Sequence, residues 1–270
     1  MTGTDTRHPA AAAPAEAVPS AADRWLLRRP GDERCHLRML CVPYAGGSAA
    51  VYHRWSGMLP NGVAAWPLRL PGRDARFSEP LATDLRSLVR DAAAALAPVL
   101  AEPFAVFGHS LGAFIGYELV RRLAEDWDLQ AALLMVAARD APQVPTYRGT
   151  IHTLDDDEFI EVLDRQYCAI PPMLREDRQM RAVYLPILRA DATMLETYSH
   201  TPGAPLRCPI AVYGGTGDTA TTSAGLAAWR ELTTGGSVVT MLDGGHFFLE
   251  SGLDRLLGLV GAELGATIAP

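Results

Sequence analysis

The sequence predicts an α/β fold, with a mostly parallel central sheet and helices on both of its faces. From about residue 36, short apolar segments alternate with longer segments of helical spacing, as in chains that build a parallel sheet. The short segments are apolar throughout, which is typical of strands that are buried on both sides. The 270 residues fit one large domain or two small ones, and 49% of them are hydrophobic, enough for a sizeable core.

Each element is predicted from its own pattern. Apolar runs predict six strands, at 36–42, 63–68, 104–107, 131–137, 208–213 and 237–242. Helical spacing predicts helices at 85–100, 111–123, 177–198 and 249–264. The stretch 153–199 has no clear strand, and we predict it as a helical insertion that lies over the site as a lid. Ordinary helical decoration is the alternative.

The first 22 residues are rich in Ala, Pro, Thr and Ser and predict a disordered tail, which leaves 23–270 for the domain. They lack the basic start and apolar stretch of a signal peptide. The chain has no run of about 18 apolar residues, so we predict no membrane span. The net charge of −7 argues against general binding of nucleic acid or anionic membrane. Four scattered cysteines indicate reduced thiols in a cytoplasmic protein and predict neither a disulfide framework nor a metal site.

Gly108, His109, Ser110, Leu111 and Gly112 match the pattern G-x-S-x-G between a predicted strand and a predicted helix. In that context the motif predicts an α/β-hydrolase with Ser110 as nucleophile on a tight turn, for which the flanking glycines leave room. The helix N-terminus favours the negative charge of a tetrahedral intermediate. The side chain of His109 should diverge from the serine on such a turn. A purely structural turn is the alternative.

A serine hydroxyl needs a base within hydrogen-bond reach. His246 lies in the loop after the last predicted strand, where this fold places its base, and we predict that role for it. The acid that orients the base should follow a strand between Ser110 and His246. We predict Asp218, which directly follows the fifth predicted strand, with Asp140 as the alternative. Asp243 is only three residues from His246, which makes the geometry harder.

The oxyanion hole requires two backbone N–H groups. One is predicted from Leu111, directly after the nucleophile, and the other from the Gly-rich loop 43–47 after the first strand. We predict Ala45 as the second donor, with Tyr44 or Gly46 as alternatives.

Five stretches together are more specific than the elbow alone: 41–49 (CVPYAGGSA), 70–76 (LPGRDAR), 107–113 (FGHSLGA), 185–191 (LPILRAD) and 244–249 (GGHFFL). On these residues the chain resembles the type II thioesterases that accompany polyketide synthases and nonribosomal peptide synthetases. The resemblance runs from about Leu37 to Leu257. It implies a triad of Ser110, His246 and Asp218, and the editing or release of acyl groups from the phosphopantetheine arm of an acyl or peptidyl carrier protein that binds transiently. It implies no metal and no cofactor beyond the arm that the partner carries.

The sequence departs from the family at three places. Leu111 stands where the family usually has Met, which alters little because only its N–H is needed. The turn 219–222 is less apolar than usual, and 165–170 lacks a common Gly-Gly pair. Because lid residues shape the acyl pocket, the resemblance does not imply an acyl preference.

Arg69, Arg73 and Arg76 cluster in one loop and suggest a docking surface for an acidic carrier protein, with a solvated basic loop as the alternative. Other functions share parts of this pattern. A general carboxylesterase would use the same catalytic residues on oxygen esters. A cyclising terminal thioesterase would normally be fused to a carrier domain. A non-catalytic module of this fold would be expected to lack one of the triad residues.

Overall fold

The computed structural model describes residues 20–100, 103–145, 149–167 and 170–268. Six strands form one sheet in the order β2-β1-β3-β4-β5-β6, and every neighbouring pair is parallel. The predicted parallel sheet is therefore confirmed. The strands are β1 (Leu37–Val42), β2 (Val63–Pro67), β3 (Phe104–His109), β4 (Leu133–Ala137), β5 (Ile210–Gly215) and β6 (Ser237–Leu242).

The register brings the carboxyl ends of the strands to one edge of the sheet. Val42 of β1 pairs with Gly108 of β3, and His109 pairs with Ala137 of β4. The loops that follow these strands, and those that follow β5 and β6, therefore meet along this edge. In open parallel sheets this is the edge at which ligands bind.

Helices cover both faces of the sheet, and each face has its own hydrophobic core. Alternate residues of β3 supply the two cores: Phe104 and Val106 face one side, Ala105 and Phe107 the other. Four helices cover the first core: α1 (Ala21–Trp25), α2 (Leu85–Leu96), α3 (Leu111–Trp127) and α7 (Ser223–Ala227). Two helices cover the second core: α8 (Phe248–Ser251) and α9 (Leu253–Ile268).

Two helix predictions differ from the structure for identifiable reasons: one ran past the true end, and the other missed a break. Helix α2 ends at Leu96 because Pro98, which has no backbone N–H, lies in the 3-10 turn Ala97–Val99 that follows. The predicted helix 249–264 is two helices, α8 and α9, separated at Gly252. None of the described helices is long and apolar enough to cross a membrane.

The predicted boundary of the N-terminal tail is wrong by a few residues. Ser20 caps helix α1 through its side chain and forms a reciprocal capping box with Asp23. Ala22 is buried against the first core. Residues 20–22 therefore belong to the domain, and the rest of the predicted tail, 1–19, lies outside the described residues.

The described part of the insertion between β4 and β5 is mainly helical, as predicted. Its helices are α4 (Asp156–Tyr167), α5 (Met173–Glu176) and α6 (Arg178–Thr197). Asp177 begins α6 by accepting hydrogen bonds from the amides of Gln179 and Met180. Phe159, Ile160 and Leu163 of α4 pack with Leu185 and Ala192 of α6. The insertion thus has a small hydrophobic core of its own above the strand ends.

Candidate active site

Ser110 lies on the sharp turn between β3 and α3. Its φ of 53° and ψ of −113° are in a region that L-residues rarely adopt. The turn closes tightly: a Cβ on Gly108 would come within 2.0 Å of the Gly112 carbonyl oxygen, and one on Gly112 within 2.2 Å of the Val42 oxygen. Both positions require glycine for this reason, as the sequence pattern predicts.

We expect Gly112→Ala to destabilise the protein by at least about 3 kcal/mol, because its methyl group would meet backbone oxygens that cannot move aside. Gly258→Ala is the matched control. Gly258 lies within α9, and a Cβ there would have no neighbour within 4 Å, so alanine should raise stability by about 0.5–1 kcal/mol. Urea unfolding of the two variants measures both values, and equal effects would contradict the argument.

The structure brings Ser110, His246 and Asp218 together in one chain of hydrogen bonds. The distance from His246 Nε2 to Ser110 Oγ is 3.0 Å, and that from His246 Nδ1 to Asp218 Oδ2 is 2.9 Å. All three side chains are buried. His246 can therefore accept the proton of the serine while its other nitrogen donates to the carboxylate.

Asp218 is held in its ionised form. Burial opposes the charge, but the hydrogen bond and positive charge of His246 outweigh burial, so the pKa of Asp218 lies below its ordinary value. The Ala220 amide and the Thr221 hydroxyl also donate to this carboxylate. Residues of the turn 219–222, where the sequence departs from the family, thus donate hydrogen bonds to this carboxylate.

Asp140, the alternative acid, has a different environment. Its carboxylate accepts hydrogen bonds from the amide and the hydroxyl of Thr222, at 3.0 and 3.1 Å, and packs on Gly225. Thr222 caps helix α7, so Asp140 tethers the start of that helix to the end of β4. Asp140 is therefore a buried carboxylate that holds two structural elements together.

The loop after β1 forms a β-turn. Gly47 N donates to the Tyr44 carbonyl oxygen at 2.9 Å, and Gly46 has a φ of 76°. A positive φ at the third residue only is the geometry of a type II turn. The Gly46 amide donates to Asp191, so it cannot also serve an oxyanion. This rules out Gly46, so Ala45 stays the predicted donor and Tyr44 the remaining alternative. The other predicted donor is the N–H of Leu111, the first residue of α3, which has no partner within the helix.

The structure contradicts the docking hypothesis for Arg73 and Arg76. Both side chains are buried. Arg73 makes a bidentate ion pair with Asp191, whereas Arg76 pairs with Glu79 and stacks over a tryptophan ring. Arg69 is half-buried and donates to a backbone carbonyl. Arg73 and Arg76 are therefore held in internal ion pairs and do not form a surface for a carrier, whereas the role predicted for Arg69 stays a prediction.

Comparison with known proteins decides the family. The thioesterase domain model matches residues 38–264. The chain belongs to the thioesterase family. It is 34% identical over 251 residues to gramicidin S biosynthesis protein GrsT of Aneurinibacillus migulanus, a match that covers 93% of this chain and 98% of that protein.

Solved structures agree with this assignment. The type II thioesterase BorB from the borrelidin biosynthetic cluster is 33% identical, with a TM-score of 0.79 over 90% of this chain and 97% of that one. RedJ, the thioesterase of the prodiginine pathway in Streptomyces coelicolor, is 33% identical, with a TM-score of 0.79 over 94% and 91% of the two chains. The protein is therefore an α/β-hydrolase fold thioesterase, a thioester hydrolase.

A cavity of about 620 Å³ leads from the serine of this thioesterase to the insertion. The Tyr44–Gly46 turn, Ser110 and His246 line one end. Most of the remaining wall is apolar and comes largely from the insertion: Val162, Leu163, Ile170, Leu174, Leu188 and Leu195. The helices predicted as a lid thus form the wall of a space that suits an apolar acyl chain.

His109 is the buried residue whose environment the sequence did not reveal. Its ring lies 5.4 Å from the ring of His246 and 5.8 Å from that of Phe247. Neither ring nitrogen has a hydrogen-bond partner within the described structure. Burial, with a smaller contribution from His246, holds its pKa well below the ordinary value, so His109 is neutral and packs as an aromatic ring.

The described residues contain no group of three or more His, Cys, Asp or Glu side chains placed to bind a metal ion.

Proposed function

We propose that this thioesterase hydrolyses acyl thioesters on the phosphopantetheine arm of an acyl or peptidyl carrier protein, as an editing or release enzyme of polyketide or nonribosomal peptide biosynthesis. The observation that carries the proposal is the hydrogen-bonded chain of Ser110, His246 and Asp218 at the end of an apolar cavity. The relatives named above, from gramicidin S, borrelidin and prodiginine biosynthesis, support the biosynthetic setting.

The reaction has two steps. Ser110 Oγ attacks the thioester carbonyl while His246 Nε2 accepts its proton, and the amides of Ala45 and Leu111 stabilise the oxyanion. The C–S bond breaks, and the thiolate leaves with the proton from His246. Water then attacks the acyl-serine, again with His246 as base. The bond between the acyl carbon and Ser110 Oγ breaks, His246 returns the proton to Oγ, and the free acid is released. Ionised Asp218 keeps His246 in the tautomer that can accept the proton of Ser110.

The reaction uses only side chains and amides of the chain, so the proposal includes no bound cofactor; the phosphopantetheine belongs to the carrier. It also includes a cytoplasmic location. The three cysteines within the described residues, Cys35, Cys41 and Cys208, are free thiols, which suits a reducing compartment.

The proposal is tested by the rate of acyl release from an acyl-carrier protein. The same acyl group is presented on free pantetheine and as a p-nitrophenyl ester, with Ser110→Ala as the blank. We expect the highest serine-dependent kcat/KM on the carrier. The free pantetheine thioester separates recognition of the carrier from thioester chemistry. Preference for the oxygen ester, with no gain from the carrier, would make the protein a general carboxylesterase.

A further inference from the structure

A buried ion pair joins the insertion to the loop that follows β2. The two guanidinium nitrogens Nη1 and Nη2 of Arg73 lie 2.8 Å from the two carboxylate oxygens of Asp191. The side chain of Arg73 is 5% exposed, and that of Asp191, on α6, is fully buried. A buried pair is costly unless its remaining hydrogen-bonding capacity is satisfied, so the other partners of these two side chains are informative.

Those other partners belong to the turn after β1. Asp191 Oδ2 accepts a hydrogen bond from the Gly46 amide at 2.7 Å, and Arg73 Nη1 donates to the Gly47 carbonyl oxygen at 3.1 Å. Leu188, one turn before Asp191 on α6, packs so closely on Gly46 that a Cβ there would lie 2.5 Å from its Cδ2. The ion pair and α6 thus hold the two residues that follow Ala45 by hydrogen bonds and by packing.

The geometry of the turn transmits this constraint to Ala45. The Ala45 N–H and the Tyr44 C=O belong to one planar trans peptide and point in opposite directions. The Tyr44 oxygen accepts the hydrogen bond from the Gly47 amide, so the orientation of this peptide depends on where Gly47 lies. Fixing Gly46 and Gly47 therefore fixes the direction of the Ala45 N–H. Donors fixed before the reaction are the ones that stabilise an oxyanion effectively.

We propose that Asp191 is a positioning residue of the thioesterase reaction: with Arg73 it fixes the turn that carries the Ala45 N–H, which makes helix α6 part of the framework of the oxyanion hole. This inference rests on the proposed function of Ser110 and Ala45. Asp191 acts through the turn and does not touch the substrate.

Two double variants separate this role from a structural one. Both replace the ion pair by neutral side chains, so neither leaves an unpaired buried charge. Arg73→Met/Asp191→Asn keeps an acceptor for the Gly46 amide, and Arg73→Met/Asp191→Leu removes it. kcat and KM are measured on an acyl-pantetheine thioester, and unfolding midpoints are measured in urea. Binding of an alkyl boronic acid, whose tetrahedral adduct on serine uses the oxyanion hole, is measured beside that of an unreactive thioether analogue.

We expect the Leu variant to lose about 100-fold in kcat, because a misplaced donor costs about this much. The Asn variant should stay within about tenfold of the wild type, and KM and thioether affinity should change little in either. Boronate affinity should fall in parallel with kcat. Equal kcat in the two variants, or a loss confined to KM, would overturn the proposal.

Asp191→Glu is the second test and keeps the charge that pairs with Arg73, so it retains the fold if the Leu variant does not. Its carboxylate is displaced by one methylene, and we expect a fall in kcat of at least about tenfold at unchanged KM. Wild-type kcat in this variant would contradict the positioning role. A wild-type enzyme that cleaved no thioester would instead refute the proposed function, and boronate binding would still report on the turn.

Discussion

Ser110→Gly is expected to abolish thioester turnover and, at the same time, to make the protein more stable than Ser110→Ala. The loss of turnover should reach about 10⁶-fold in kcat, since removal of a nucleophilic serine costs about this much. The gain in stability follows from the backbone. A φ of 53° and ψ of −113° are strained for an L-residue but open to glycine, whose mirror-image conformations are equally accessible.

The size of the gain follows from two opposing effects. Relief of backbone strain contributes about 1–3 kcal/mol, and the greater freedom of glycine in the unfolded chain subtracts about 0.5–1 kcal/mol. We therefore expect Ser110→Gly to exceed Ser110→Ala by about 1 kcal/mol in the free energy of unfolding. Ser110→Ala is the control because it removes the hydroxyl and keeps the strain. A glycine variant less stable than the alanine variant would show that the turn is not strained.

The elements of the site were predictable wherever local sequence determines them. The glycines at 108 and 112 are required by contacts within a single strand-turn-helix unit, so a five-residue pattern suffices to predict the elbow. His246 and Asp218 follow β6 and β5 in the chain order that the fold requires. Their meeting with Ser110 needs only parallel strands that end at one edge, which the apolar segments already predicted.

The role of the arginines could not be predicted in the same way. Arg73 and Asp191 are 118 residues apart, and each lies in a stretch that carried the family resemblance without an evident reason. A sequence shows charge but not burial, so three basic residues in one loop suggested a surface for a carrier. Only the packing of α6 against the turn after β1 shows that Arg73 has a buried partner. Long-range pairs of this kind depend on tertiary structure rather than on local pattern.

Helix ends were predicted least well, because they depend on single residues within a continuing apolar pattern. Apolar residues continue beyond Leu96 and across Gly252, and a helical period alone gives no reason to stop there. In the structure, Pro98 ends one helix and Gly252 separates the other two. Neither error displaced a residue of the site, since the catalytic side chains lie on loops after strands.

Asp218→Asn is expected to lower kcat by about 10⁴-fold without a comparable loss of stability. The neutral amide no longer stabilises the imidazolium, and its NH₂ group can instead donate to His246 Nδ1. That arrangement favours the tautomer with the proton on Nε2, which cannot accept the proton of Ser110. Because the folded-state pKa of Asp218 lies below its ordinary value, the wild-type carboxylate is charged at neutral pH, so the comparison is between a charged and a neutral partner.

Asp140→Asn is the matched control, because Asp140 is also a buried aspartate after a sheet strand but binds the start of α7 rather than His246. Its loss should lower the free energy of unfolding by about 1 kcal/mol, the usual value of a helix-end contact, and leave kcat within about threefold. The two variants should therefore show opposite patterns of activity and stability. Steady-state kinetics on an acyl-pantetheine thioester and urea unfolding measure both quantities. If Asp140→Asn instead gave the 10⁴-fold fall, Asp140 would be the acid that matters, and the hydrogen bond between Asp218 and His246 would need a different explanation.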